Sequence, residues 1–240
     1  MIHIIVGTRA QIIKMAPVMK ELENRGINYN FIFLAQHKET MYEIMSQFGI
    51  KKPDIVIGDK GVDITTVKDM ILWSLKVLIY AFWERVKIFK NDTEGVVLIH
   101  GDAPPLLLGG LMAKFQRLKV AQVEAGLRSF NKLKPFPEEL TRVIAAKIGL
   151  IDIFFCQDKK AIDNIQQYKK ISYCTGYNTM LDSLHFANRA ELKINYSKKD
   201  EKFAIVSLHR FETISKKENL WQVTQEIKKI SKKIKILFIL

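Results

Sequence analysis

The 240 residues include only two cysteines, Cys156 and Cys174, and neither stands in a close cluster of cysteines and histidines. That scarcity excludes a disulfide framework and any zinc-finger spacing, and it fits a reducing cytoplasm. Proline is also rare, at 6 residues, and no repeat or low-complexity segment divides the chain. No apolar run reaches the roughly 20 residues that a membrane span needs. The longest candidate, MILWSLKVLIYAFW from Met70 to Trp83, is broken by Lys76 and reads as a buried or partly exposed helix. The first residues lack a cationic segment followed by a long apolar one, so a secretory signal is not expected. Acidic residues are the minority: 25 Asp and Glu against 38 Lys and Arg leave a formal charge of +13. Such a potential favours anionic partners. The excess is mostly lysine spread through helical patterns without an arginine-rich or aromatic-interleaved patch, so it reads as solvated surface and not as a nucleic-acid interface.

What the chain does have is apolar residues, 48% of the total, enough for a substantial core. They fall in short runs: HIIV from His3, NFIFLA from Asn30, VVLIH from Val96, VAQVEA from Val120, IFFCQ from Ile153, FAIVSLH from Phe203 and KILFIL from Lys235. Continuous short runs suit parallel strands covered on both faces. Between them lie helical patterns such as Ile12, Met15, Met19 and Leu22, which share one face. The alternation predicts an α/β fold with a doubly wound, Rossmann-like parallel sheet, in which ligands collect beyond the carboxyl ends of the strands.

The first of those ends is Gly7-Thr8-Arg9. A glycine there permits a tight turn, and helix-start amides with Arg9 offer a place for a phosphate or carboxylate. Pro17 lies inside the helix that follows, so a kink or a late helix start is expected. Thr175-Gly176-Tyr177-Asn178 is a turn signal, which puts a domain boundary near Gly176 and predicts domains of 1–176 and 177–240. The second, with two strands in some 60 residues, reads as incomplete.

Polar residues recur at the strand ends. VVLIHGD brings His100 and Asp102, VEAGLRS brings Glu124, PFPEELTR brings Glu138, Glu139 and Arg142, and SLHRFE brings His209 and Arg210. Any one acid could cap a helix or pair with Arg128 or Arg142. Several acids and histidines on one edge suit acid–base chemistry, which needs titratable groups held in differing environments.

Taken in order, GTRAQIIKMAPV, AQHKETMYEIMSQFGI, VVLIHGD, VEAGLRS with PFPEELTR, TGYNTMLDSL and SLHRFE resemble the motifs of UDP-N-acetylglucosamine 2-epimerases, across essentially all 240 residues. The resemblance implies a GT-B-type pair of Rossmann-like domains facing a cleft, with the second incomplete here. It implies interconversion of UDP-GlcNAc and UDP-ManNAc by anti elimination of UDP to a 2-acetamidoglucal and re-addition, for surface polysaccharide precursors. It implies no metal and no cofactor, a UDP-sugar as the small-molecule partner and a homodimer; the cytoplasm stays the expected location from the cysteine content. Asp102, Glu124, Glu138 and His209 match the family's catalytic groups, the three acids for proton transfer at C2 and sugar orientation, His209 for the diphosphate. Arg9, Lys14, Arg142 and Arg210 match substrate-binding positions, and Gln36 and His37 the pair that touches a regulatory UDP-GlcNAc.

The sequence departs from the family pattern in three places. Ala10-Gln11 replaces a proline-glutamate pair, Ala103-Pro104-Pro105 replaces a hydroxyl-rich run, and Phe211 replaces a cation. These changes point to a different N-acetylated UDP-sugar, such as a diacetamido uronate, as one alternative substrate. A hydrolysing epimerase and a truncated, non-catalytic sugar-nucleotide-binding module are the others, with a B-type glycosyltransferase below them. The family's Ser-Gly-Gly loop, which contacts the nucleotide, is absent, so the 240 residues alone are expected to be poorly active.

Overall fold

The structure is a computed structural model that describes residues 1–35, 41–58, 67–101, 104–131, 138–189, 202–208 and 216–239. Asp102, His209, Arg210, Gln36 and His37 lie outside the described residues, as does Phe211. Two compact units divide the chain, Met1–Glu191 and Leu192–Leu240.

The first unit is built on a sheet of seven parallel strands: β1 (Ile2–Val6), β2 (Tyr29–Leu34), β3 (Ile55–Ile57), β4 (Val96–His100), β5 (Lys119–Ala125), β6 (Ile153–Cys156) and β7 (Ile171–Cys174). Their order is β3-β2-β1-β4-β5-β6-β7. The chain steps outward from β1 to β3, then returns to lay β4 against the other side of β1, so the order reverses between β1 and β4. Helix starts at such a reversal point away from each other and open a crevice at the carboxyl edge. The helices are α1 (Arg9–Asn24), α2 (Met41–Phe48), α3 (Val67–Ile88), α4 (Pro104–Phe115), α5 (Glu138–Lys147), α6 (Lys159–Ile165) and α7 (Thr179–Arg189).

The apolar runs fill both faces of the sheet. Ile4, Val6, Phe31 and Phe33 pack with Ile12, Met15 and Met19 of α1 and Met41 and Met45 of α2. Their alternates Ile5, Ile32 and Leu34 pack on the other face with Trp73 and Val77 of α3 and Leu106 and Met112 of α4. Alternation of side chains along a strand therefore sends every second residue into each core, which is why β1 and β2 read as unbroken apolar runs.

Helix α1 neither starts late nor stops at Pro17. Proline cannot donate to the carbonyl four residues back, that of Ile13. The Ser183 hydroxyl of α7 donates to that carbonyl at 2.5 Å. This contact, with stacking of Phe186 on Phe48 at 5.2 Å, seats α7 in the first unit. The chain consequently divides after Glu191 and not near Gly176. Gly176 does turn the chain, at φ +81°, but the turn leads α7 back onto α1.

The second unit contains β8 (Phe203–Ser207), α8 (Lys217–Ser231) and β9 (Lys235–Ile239), with β8 and β9 parallel neighbours. No residue of α8 is buried.

Candidate functional site at the carboxyl edge of the sheet

The crevice between β1 and β4 is lined first by the turn at Gly7. Thr8 caps α1 through a reciprocal box: its hydroxyl accepts from the Gln11 amide at 3.3 Å, and Gln11 Oε1 accepts from Thr8 N at 3.2 Å. Gln11 Oε1 also accepts from Gly7 N at 2.9 Å, while its Nε2 donates to the His100 carbonyl at 2.8 Å. The amides of Gly7 and Thr8 are therefore turned onto a side chain of their own helix, and the phosphate cradle expected there is not formed by them. Gln11, which replaces an acid in the family pattern, staples β1, α1 and β4 together; a glutamate would lack the donor for His100. Glycine is required at position 7 by crowding, since a Cβ would lie 2.6 Å from Pro105 Cγ. Arg9 is exposed at the start of α1.

Glu124 sits near the end of β5, where a register shift between Val123 and Ala125 marks a bulge. Its φ is +54°, a conformation that costs a non-glycine residue energy and recurs at functional sites. At the bulge the carboxylate is buried, its side chain 4% exposed. One oxygen, Oε1, accepts from Thr179 N at 2.7 Å and Thr179 Oγ1 at 2.8 Å. The other, Oε2, accepts from Lys14 Nζ at 2.9 Å and stands 3.1 Å from His100 Nε2. That last approach lacks hydrogen-bond alignment: neither ring nitrogen of His100 has a hydrogen-bond partner, although the residue is 2% exposed. Burial works to raise the Glu124 carboxyl, but the adjoining His100 and Lys14 outweigh it and hold the group far below the ordinary carboxylate range.

Beyond β5, Glu139 is fully buried and grips the following loop. It accepts from Arg128 Nε at 2.5 Å, Ser129 N at 3.0 Å and Arg142 at 3.3 Å. Burial again opposes ionisation, and the Ser129 amide and Arg128 reverse it, so the carboxyl is lowered. Its neighbour Glu138, the first residue of α5, is the contrasting case: its Oε2 is buried without a hydrogen-bond partner. A buried acceptor left open is costly unless something arrives to fill it.

Of the expected residues, the structure brings Lys14 and Glu124 into direct contact, and it places Glu124 and Arg142 on the wall of one cavity of about 20 Å³. That volume holds about one water. Arg142 is engaged with Glu139 at 3.3 Å. A wider groove, about 1090 Å³, runs between α1 and α7 past Pro17, Leu22, Ile27 and Phe186 and includes none of the expected site residues. Among the described residues, no three His, Cys, Asp or Glu side chains converge as metal ligands. Sequence reasoning did not single out Thr179, and it named Glu139 and Gln11 without giving either a place in the site. Glu139 is the second acid of a doubled pair at a helix start.

Comparisons with known proteins agree on one family. The family model described as UDP-N-acetylglucosamine 2-epimerase matches residues 20–240. The UDP-N-acetylglucosamine 2-epimerase of Campylobacter jejuni is 31% identical over 253 residues, covering 96% of this chain and 61% of that protein. The crystal structure of the Methanocaldococcus jannaschii UDP-GlcNAc 2-epimerase in complex with UDP-GlcNAc and UDP is 26% identical, with a TM-score of 0.78 over 99% of this chain and 65% of that one. The enzyme from Neisseria meningitidis bound to UDP-GlcNAc is 25% identical with a TM-score of 0.78, at 99% and 65% coverage. The chain thus spans about three-fifths of its curated relatives' length. With a doubly wound sheet, an acid-lined carboxyl edge and a family match over nearly its whole length, the chain belongs to the UDP-N-acetylglucosamine 2-epimerase family.

Proposed function

We propose that the protein interconverts UDP-GlcNAc and UDP-ManNAc without hydrolysis, by removing the C2 proton as UDP departs from C1 and then adding UDP back across the resulting double bond. The observation that carries this reading is the pair of unlike glutamates at the carboxyl edge. Glu124 has both oxygens occupied and a strongly lowered carboxyl, so it is a poor proton acceptor and a good fixed charge. It holds Lys14 and faces the unpartnered His100 ring, which orients a sugar and complements departing phosphate. Glu138, with one buried oxygen unpartnered, suits the exchange of a proton at C2. Asp102 shares that duty, and His209, Arg9 and Arg210 serve the diphosphate; Gln36 and His37 serve a regulatory UDP-GlcNAc. We infer a homodimer and a cytoplasmic setting for the same protein.

The test follows the C2 proton of UDP-GlcNAc by NMR in deuterium oxide. It uses the 240-residue chain and a chimaera completed with the carboxyl-terminal part of the Campylobacter jejuni relative. Exchange with formation of UDP-ManNAc in the chimaera, abolished by Glu138→Gln, is the expected result. Free ManNAc would replace this reading with the hydrolysing one. Absence of exchange in both proteins, with exchange on a UDP-diacetamido uronate, would reassign the substrate. Absence on every UDP-sugar overturns the enzyme reading.

A further inference from the structure

Cys156 closes β6 and Cys174 closes β7, and the two are register partners across these neighbouring parallel strands. Register partners project to the same face of a sheet. The pair before them, Phe155 and Tyr173, stacks at 5.7 Å on the opposite face. Parallel strands about 4.8 Å apart place paired Cα atoms inside the span of about 4.4–6.8 Å that a disulfide bridges. The Cβ atoms need to close by somewhat less than about 1 Å. That adjustment is available because β7 is the outermost strand of the seven. Both thiols are free, Cys156 buried and Cys174 exposed, and the site around Glu124 uses neither.

We propose that Cys156 and Cys174 form a dithiol site that small-molecule disulfides oxidise to an intramolecular cross-strand disulfide. The exposed Cys174 thiolate attacks one sulfur of the incoming disulfide; its S–S bond breaks and one thiolate leaves. Cys156 then loses its proton to water and attacks Cys174 Sγ, expelling the second thiolate. Two protein thiols are oxidised by two electrons, the small disulfide is reduced to two thiols, and the two protons pass from protein to product. Burial, with smaller contributions from Cys174 and Asp158, pushes the Cys156 thiol up to about 11, so the second step is slow at neutral pH and quickens as pH rises. The bridge forms beside a tie already present, since Thr175 N donates to the Cys156 carbonyl at 2.8 Å.

The test incubates the folded 240-residue chain with oxidised glutathione, quenches with acid at intervals, and reads intact mass and a non-reducing peptide map. The expected product has lost two hydrogens and yields one cross-linked peptide pair holding Cys156 and Cys174. Its closure speeds up roughly tenfold per pH unit below the Cys156 thiol's titration. Cys156→Ser stops at a glutathione adduct on Cys174. Circular dichroism recorded alongside keeps its folded signature. The proposal is overturned if the wild-type chain accumulates the Cys174 adduct while Cys156 stays alkylatable. It is equally overturned if Cys174 links two chains, or if the bridge appears only as the folded signal is lost.

Discussion

Thr179 gives both its backbone N–H and its hydroxyl to a single oxygen of Glu124, at 2.7 and 2.8 Å. The two residues are 55 apart in sequence, and the contact fastens the start of α7 to the end of β5. Because the acceptor is a buried carboxylate, these are charge-assisted bonds, stronger than neutral ones. Thr179→Val keeps the shape and the amide bond but removes the hydroxyl donor. The expected cost is about 1.5–3 kcal/mol in urea denaturation, with Thr179→Ser recovering most of it. Equal stability of the Val and Ser variants would mean that the hydroxyl bond contributes nothing.

Acid should destabilise the fold in two stages. His3 is buried at the start of β1, and that burial, more than the opposing pull of Asp92, lowers its imidazole from 6.5. The unfolded chain therefore binds the proton first, so stability is present above about 6.5 and declines as pH falls below it. Glu124 and Asp54 act lower. Burial opposes ionisation of Asp54, but Lys51, the Phe31 amide and Lys90 carry it down to about 2. Both carboxyls are lowered in the fold, so their contribution is whole above about 4.5 and is lost as pH falls through the native values. Urea midpoints across this range should be flat near neutrality, shallow below 6.5 and steep below 4.5. His3→Gln should remove the shallow segment and spare the steep one; an unchanged shallow segment would refute the assignment.

Strands buried on both faces were legible because the sheet writes them as apolar runs, and β1, β2, β4, β5 and β6 stand where those runs stand. β3 and β7 were not, for a physical reason. They are the two edges, β3 is only three residues long with Val56 exposed, and β7 reads Ile-Ser-Tyr-Cys with three residues exposed. Edge strands need little apolar content, so composition hides them. The turn at Gly176 was legible, but its consequence was not, because Ser183 and Phe186 find their partners far back in the chain. In the site, an acid at a strand end announced Glu124. Nothing local announced that Thr179 would hold it, or that Gln11 would occupy the amides of Gly7 and Thr8.

The outer face of α3 predicts self-association. Trp73, Val77 and Ala81 point into the core, while Ile71, Leu75, Ile79, Trp83 and Val86 are all about half or more exposed. No helix among the described residues is long and apolar enough to cross a membrane. Apolar patches beyond a few hundred Å² are unusual on monomers. Sedimentation velocity should find a dimer, and Trp83→Glu should shift it to monomer without changing the circular dichroism. A monomeric wild-type chain would refute the α3 interface.

The carbonyl of Ile13 offers a sharper test, because two different substitutions should compensate each other. Pro17 deprives that oxygen of its helical donor, and Ser183 supplies one from α7, with a second, longer contact at 3.0 Å to the Thr179 carbonyl. A hydroxyl has one proton, so the shorter bond is the one it serves. Ser183→Ala alone should cost about 1 kcal/mol, since it leaves a partly buried acceptor unpaired. Pro17→Ala restores an N–H four residues on from Ile13 and lets the helix satisfy the oxygen itself. In that background the serine hydroxyl becomes redundant, and Ser183→Ala should cost appreciably less. A double-mutant cycle in urea should therefore return a coupling energy of at least about 0.5 kcal/mol between positions 17 and 183. Strict additivity would mean that the hydroxyl and the proline act independently.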